Sequence, residues 1–279
     1  MTIRDLLVTV DGGASSEARL ALAASLAETF EAHLIGLHPS STAPVSPYSA
    51  SFDSTLFDAA MQESYSRLKR RSEHARVGFE AVAARHAISS EWRVARGFAG
   101  PETVLNSRYA DLAVIGQRWT DFDGLNYPDP ADVVLDAGCP ILVIPAVGQF
   151  DRIERHALIA WNAGREAARA VRDALPLLKR MRSATVLVVD LKENPYGHGE
   201  EPGADIATHL ARHGVKVEID RWSIPDAKPA EVILSRAADY GSDLLVMGAY
   251  GHSRVRELVL GGVTRSILEQ MTLPVLMSH

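Results

Sequence analysis

The chain repeats itself once, and that repeat constrains its fold more than any other feature. Asp111-Leu112-Ala113-Val114-Ile115-Gly116 matches Asp243-Leu244-Leu245-Val246-Met247-Gly248. Further along each copy, Cys139-Pro140-Ile141-Leu142-Val143 matches Leu273-Pro274-Val275-Leu276-Met277. Upstream, Leu6-Leu7-Val8-Thr9-Val10-Asp11-Gly12-Gly13 matches Ala157-Leu158-Ile159-Ala160-Trp161-Asn162-Ala163-Gly164, and each of these segments leads into an Ala-rich helical run. The period is about 130–150 residues, too long for a solenoid unit and right for a domain. A chain of 279 residues holds about two domains at roughly 100–200 residues each. Two tandem copies of one fold are therefore expected, over 1–148 and 153–279, with the boundary near Val147 to Arg155.

Each copy alternates strands and helices. In the second, His156 to Trp161 reads as an apolar strand. Arg165 to Met181 reads as a helix, with Ala168, Val171, Leu175 and Leu178 at three- and four-residue spacing and Pro176 as a kink or an end. Ala184 to Val189 is a β-branched run typical of a buried parallel strand. Then come a helix from Ala204 to His213 stopped by Gly214, a strand from Val215 to Trp222, and a helix from Pro229 to Tyr240. A strand over Leu244 to Met247, a helix over Val263 to Met271 and a strand over Val275 to Met277 close the copy. Such alternation with short loops predicts an α/β fold, a mostly parallel sheet with helices on both faces. The first copy adds a Ser/Pro-rich loop over Pro39 to Ser54 and a helical pattern over Leu56 to His86. Gly78 leaves one bent helix or two equally open there.

The clearest pointer to a ligand lies near the C-terminus. Gly248 and Gly251 enclose two residues, nine more come after them, and then come Gly261 and Gly262. A strand precedes this segment and a helix succeeds it. Glycine removes the Cβ that keeps an anion from backbone N–H groups, and a helix N-terminus favours negative charge. The arrangement suggests a phosphate-bearing ligand. It is neither a Walker loop, lacking Gly-Lys-Ser/Thr, nor a dinucleotide fingerprint. Ligands in open α/β sheets bind beyond the carboxyl ends of the strands. There the first strand of the second copy ends at Ala160, Asn162 and Ala163, the second at Val189, and the fourth at Met247 and Gly248. His252 inside the loop is a further candidate donor to phosphate, as is the helix start at Gly261, Gly262, Val263 and Thr264.

This half resembles a universal stress protein domain. That family carries a nucleotide loop of Gly, two residues, Gly, nine residues, Gly, then Ser or Thr, with a helix and a Cys-Pro-Val-Leu-like last strand after it. Gly248, Gly251 and Gly261 match the loop, and Val263, Pro274, Val275 and Leu276 fit the family's helix start and last strand. The resemblance extends over both halves, since Asp11-Gly12-Gly13 resembles the family's Val-Asp-Gly-Ser. It implies two tandem, doubly wound, five-stranded parallel sheets of the adenine nucleotide alpha hydrolase-like kind, related by a pseudo-two-fold axis. It also implies ATP or a related adenine nucleotide as ligand, with Mg²⁺ held through the phosphates. The family pairs through its last strand, so Ile141 to Ile144 and Val275 to Met277 are the expected pairing edges of an intrachain pseudo-dimer. Whole chains could pair further as a homodimer.

Two positions depart from the pattern. Gly262 stands where the family has Ser or Thr, and Asn162 where it has Asp. Thr264 replaces the lost hydroxyl only if it faces the site. The first half departs further: after Gly116 come Gln117-Arg118-Trp119-Thr120-Asp121-Phe122-Asp123-Gly124, and Tyr127-Pro128-Asp129-Pro130 leads into the last helix. Asp121, Asp123 and Asp129 put negative charge where phosphates would lie, so the first half is not expected to bind ATP in the family's manner.

Other functions find less support. The formal net charge of −6 disfavours a broad nucleic-acid or membrane surface. No apolar run approaches the ~20 residues of a membrane span, and the N-terminus lacks a signal-peptide h-region, so a cytoplasmic protein is expected. The single cysteine, Cys139, reads as a core thiol. His209 and His213 have metal-binding spacing but no accompanying Glu or Cys pattern, so no metal site is expected. No Ser/His/Asp or Cys/His set suggests catalysis, which leaves at most weak ATP hydrolysis. Two alternatives stay open: an interaction module that ignores nucleotide and recruits an unknown protein partner, and a nucleotide-processing enzyme of a related α/β class.

Overall fold

The computed structural model describes residues 2–39, 54–95, 97–117, 128–189, 201–222, 228–251 and 262–279. The first half runs β1 (Asp5–Thr9), α1 (Ala14–Phe30), β2 (His33–Pro39), α2 (Ser54–Arg85), β3 (Ser90–Ala95), α3 (Ala99–Ser107), β4 (Leu112–Gly116), α4 (Pro130–Asp136) and β5 (Ile141–Ile144). The second runs β6 (His156–Ala160), α5 (Arg165–Leu178), β7 (Ser183–Val189), α6 (Ala204–Arg212), β8 (Val217–Trp222), α7 (Pro229–Asp239), β9 (Leu244–Gly248), α8 (Val263–Gln270) and β10 (Val275–Ser278). The expected alternation holds throughout. The pattern over Leu56 to His86 is one helix, α2, with Gly78 inside it. The interior of the Ser/Pro-rich loop lies outside the described residues, as do Arg118, Trp119, Asp121, Asp123, Asp190, His198, His252 and Gly261.

All ten strands form one sheet in the order β3-β2-β1-β4-β5-β10-β9-β6-β7-β8. Within each half every neighbour is parallel. The halves meet antiparallel, with Ile141 opposite Met277, Leu142 opposite Leu276 and Val143 opposite Val275. These are the pairing edges expected from the last strands.

Continuous apolar strands are the result of burying both faces. Successive side chains point to opposite sides of a strand. Leu6 and Val8 enter a layer shared with α1, α2, α5 and α6, whose contributions include Leu26, Phe79, Val171 and Leu210. Leu7 enters the opposite layer, shared with Val133 of α4, Ile233 of α7 and Ile267 of α8. In β9, Leu244 and Val246 divide from Leu245 and Met247 in the same way. Proline opens α4 and α7, where its missing N–H costs no intrahelical bond. Among the described residues, no helix is long and apolar enough to cross a membrane.

The structure explains why the repeat keeps its aspartates. The Asp111 carboxylate accepts from the backbone N–H of Arg4 at 2.7 Å and of Asp5 at 3.1 Å. Asp243 accepts from Glu154, Arg155 and His156 at 2.9–3.0 Å. Each carboxylate therefore ties the start of its copy's central strand to the start of the neighbouring one. A side chain from one half also reaches the other. Gln117, just past β4, donates to the carbonyls of Leu268 at 2.7 Å and Glu269 at 3.2 Å near the end of α8, and accepts from the Ala146 N–H at 3.0 Å.

Candidate functional site

The carboxyl ends of β6 and β9 lie side by side, with Ala160 paired to Met247. Three structures meet there: the turn after β6, the first turn of α5, and the loop after β9. In the first, the Asn162 side chain accepts from the Gly164 N–H at 2.9 Å, and Ala163 takes a left-handed conformation with φ 57°. The first half builds the same turn from Asp11, which accepts from the Gly13 N–H at 2.7 Å, with Gly12 at φ 79°. Asn for Asp thus preserves the turn and removes a charge.

Gly248 is needed for packing. A Cβ there would overlap the Ala167 nitrogen and stand 2.6 Å from the Glu166 carbonyl carbon. The bare glycine lets the start of α5 press against the end of β9. Gly251 differs. Among the described residues, the atoms nearest to where a Cβ on it would stand belong to side chains, Glu166 Oε2 at 3.1 Å and Asn162 Nδ2 at 3.9 Å. Tyr250 between them sits at φ 55°, and its N–H donates to the Thr264 hydroxyl at 3.2 Å. Thr264 is buried, so its hydroxyl braces the loop against α8. The Ala249 N–H donates to the Ser278 carbonyl at 2.9 Å, anchoring the turn to the end of β10.

The other expected contacts divide by depth. Met247 is buried in the layer with α7 and α8, and Ala160, Val189 and Val263 pack partly buried against it. Asn162 and Ala163 are exposed. Asn162, Gly251 and the α5 turn converge. His252 and Gly261 lie outside the described residues.

Helix N-termini separate the two halves. Gly262 is the N-cap of α8 and, as glycine, brings no side-chain cap of its own. The N-terminus of a helix is where an anion is favoured. In the first half Asp129 caps α4, accepting from the Ala131 N–H at 3.0 Å, so a built-in carboxylate takes the anion's place.

The first half also fills its own strand-end cleft. Arg19 of α1 is buried, pairs with Asp11, and donates from Nε to the Thr9 carbonyl at 2.7 Å. Its guanidinium lies against Gly116, the counterpart of Gly248. Arg71 of α2 donates to the Asp11 carbonyl at 2.9 Å and packs over Gly12. Burial works to raise the Asp11 pKa, but Arg19, the Gly13 N–H and Arg71 together hold it below its ordinary value. His38 is held below its ordinary value chiefly by burial, and its Nδ1 lies 2.8 Å from the Val10 carbonyl.

These features match a known family over nearly the whole chain. A model of the universal stress protein family matches residues 2–145 and again 154–279. The chain belongs to the universal stress protein family. It is 39% identical over 67 residues to universal stress protein Slr1230 of Synechocystis, a match spanning 24% of this chain and 22% of that one. It is 38% identical over 48 residues to universal stress protein MJ0577 of Methanocaldococcus jannaschii, spanning 17% of this chain and 30% of that one. The matches thus cover less than a third of the length of these curated relatives. A universal stress protein structure from Archaeoglobus fulgidus has the same fold, with TM-score 0.71 at 16% identity over 98% of this chain and 95% of that one. The tandem universal stress protein fold therefore accounts for the sheet and for its pairing through the last strands.

Two features of the second-half site suit a polyanion: α8 starts at Gly262 without a side-chain cap of its own, and Gly251 lacks a Cβ. At a third point it presents a carboxylate that sequence reading missed. Glu166 in the first turn of α5 is buried and pairs with exposed Arg165. Only its place in the Asn-Ala-Gly-Arg-Glu run at a helix start signalled it. Elsewhere, burial pushes the half-buried Cys139 thiol up to about 12, far from a reactive thiolate. His209 and His213 meet edge-on with ring centroids 4.6 Å apart, and among the described residues no third metal ligand joins them.

Proposed function

We propose that this universal stress protein binds ATP or a related adenine nucleotide at one site per chain, in the second half, and acts in the cytoplasm as a nucleotide-responsive stress protein. The observation that carries this is the contrast at the last helix of each copy. Asp129 caps α4, whereas α8 begins at Gly262 with no side-chain cap among the described residues. A helix start without its own anion is a ready site for phosphate. The loop pattern of Gly248, Gly251 and Gly261 supports the same reading. The residues that would hold the ligand are the turn at Asn162 and Ala163, the strand ends at Ala160, Val189 and Met247, the loop through Gly251, His252 and Gly261, and the helix start at Gly262, Val263 and Thr264. Bound Mg²⁺ would neutralise phosphate charge. In this reading hydrolysis is slow or absent and the first half serves as a scaffold.

Calorimetric titration with ATP in the presence of Mg²⁺ tests this reading. Wild-type protein should show saturable binding. Gly251→Val, whose Cβ would have side-chain rather than backbone atoms as its nearest neighbours among the described residues, should fold and lose at least about tenfold in affinity. Folded wild-type protein with no detectable affinity would sink the proposal.

A further inference from the structure

Glu166 poses a problem that the nucleotide reading alone leaves unsolved. Its side chain is 7% exposed, and such depth is rare for a carboxylate without a strong partner. Its partner, Arg165, is itself 87% exposed. Its other oxygen, Oε2, is the atom nearest to where a Cβ on Gly251 would stand, at 3.1 Å. The same oxygen lies 3.4 Å from where a Cβ on Gly164 would stand, so it sits between the turn after β6 and the loop after β9. Burial works to raise its pKa, but Arg165 and its own backbone N–H outweigh this and keep it ionised at neutral pH. The first half has Ser15 at the corresponding place in its turn, and there the basic groups Arg19 and Arg71 crowd the strand ends.

A full negative charge therefore faces the turn on which phosphates would rest. Like charges a few ångströms apart in a partly dry site repel strongly. A divalent cation reverses the sign, because carboxylate oxygen and phosphate oxygen together are an ordinary Mg²⁺ ligand set.

Resting on the nucleotide reading above, we infer that Glu166 is a protein ligand for a divalent cation carried by the nucleotide, so that the site accepts the metal–nucleotide complex and rejects the metal-free polyanion. Glu166 thereby sets a requirement that phosphates alone would not impose. Arg165 holds the carboxylate in place when no cation is present and turns to solvent when one is.

The test measures ATP affinity by calorimetry on the full chain, in MgCl₂ and in EDTA, for wild type and Glu166→Gln. Glu166→Ala serves as a second variant, and thermal melts confirm that each is folded. Wild type should bind at least about 30-fold more weakly in EDTA. Both variants should bring the two affinities within about threefold of each other, by gaining affinity in EDTA. Equal wild-type affinity in the two buffers would overturn the inference while leaving the nucleotide reading intact. So would a Glu166→Gln variant that keeps the wild-type ratio, since the cation would then be held by phosphates alone. Absence of binding by all three proteins in both buffers would remove the nucleotide reading, and this inference with it.

Discussion

Gly248→Ala should lower the stability of the whole chain by about 3 kcal/mol, the upper end of what overpacking ordinarily costs. The new Cβ would overlap the Ala167 nitrogen and stand 2.6 Å from the Glu166 carbonyl carbon. Neither is the movable end of a side chain. To make room, α5 must lift away from β9, and Ala170, Val171 and Ala174, all buried against the sheet, lift with it. For a domain of this size a loss of about 3 kcal/mol lowers the melting temperature by about 6–12 °C. Gly78→Ala is the internal control. Gly78 is exposed inside α2, and among the described residues nothing lies within 4 Å of its Cβ position. That change should raise stability by about 0.5–1 kcal/mol through helix propensity alone. Differential scanning calorimetry on both variants checks the pair. A Gly248→Ala protein as stable as wild type would show that α5 does not depend on close approach to β9.

Arg19→Met should cost a similar amount by a different route. It leaves the Asp11 carboxylate buried without its main partner, and breaking a buried pair costs about 3–5 kcal/mol. Arg71 and the Gly13 N–H still face Asp11, which places the expected loss at the low end, about 3 kcal/mol. The double variant Asp11→Asn with Arg19→Met should recover part of that loss, because the stranded charge is gone. The pair also sets a pH dependence. The folded pKa of Asp11 lies below its ordinary value of 3.8. Its contribution is therefore fully present above that value and fades as pH falls through the lower, folded one. Chemical denaturation from pH 7 down to pH 2 should show wild type losing more stability than Arg19→Met below about pH 4. Parallel losses in the two proteins would contradict the assignment.

Much of this architecture is legible in the residues themselves. The repeated Asp-Leu-Ala-Val-Ile-Gly and Asp-Leu-Leu-Val-Met-Gly segments mark β4 and β9, because strands buried on both faces are apolar without alternation. The family resemblance, rather than the residues alone, names the final strands as the meeting edge. The hidden part depends on which helix face meets which strand end. Arg19 looks in sequence like one charge in an Ala-rich helix. Its burial comes from sharing a face with Ser16, Leu20 and Ala23 at three- and four-residue spacing, and a helix with alanine spread around it does not announce which face turns inward. Glu166 is hidden for the same reason. Spacing makes Gly248 part of a phosphate cradle, and the structure gives it a packing role that spacing cannot distinguish from ligand contact. Gln117 joins residues more than 150 positions apart, beyond the reach of any local pattern. Thr264 is expected to matter only if its hydroxyl faces the site, and the structure turns that hydroxyl toward the loop, where it accepts from the Tyr250 N–H.

The asymmetry between the halves is the centre of the functional reading. Asp129 caps α4 in the first half where Gly262 starts α8 in the second, and Arg19 and Arg71 crowd the first-half turn, with Ala170 standing at the place of Arg19. The most direct test is the number of nucleotides bound per chain, measured by equilibrium dialysis with labelled ATP and Mg²⁺, with photo-crosslinking to locate the bound nucleotide. One nucleotide per chain is expected, crosslinked to peptides from the second half. Two nucleotides per chain, a crosslink confined to the first half, or no saturable binding would contradict it.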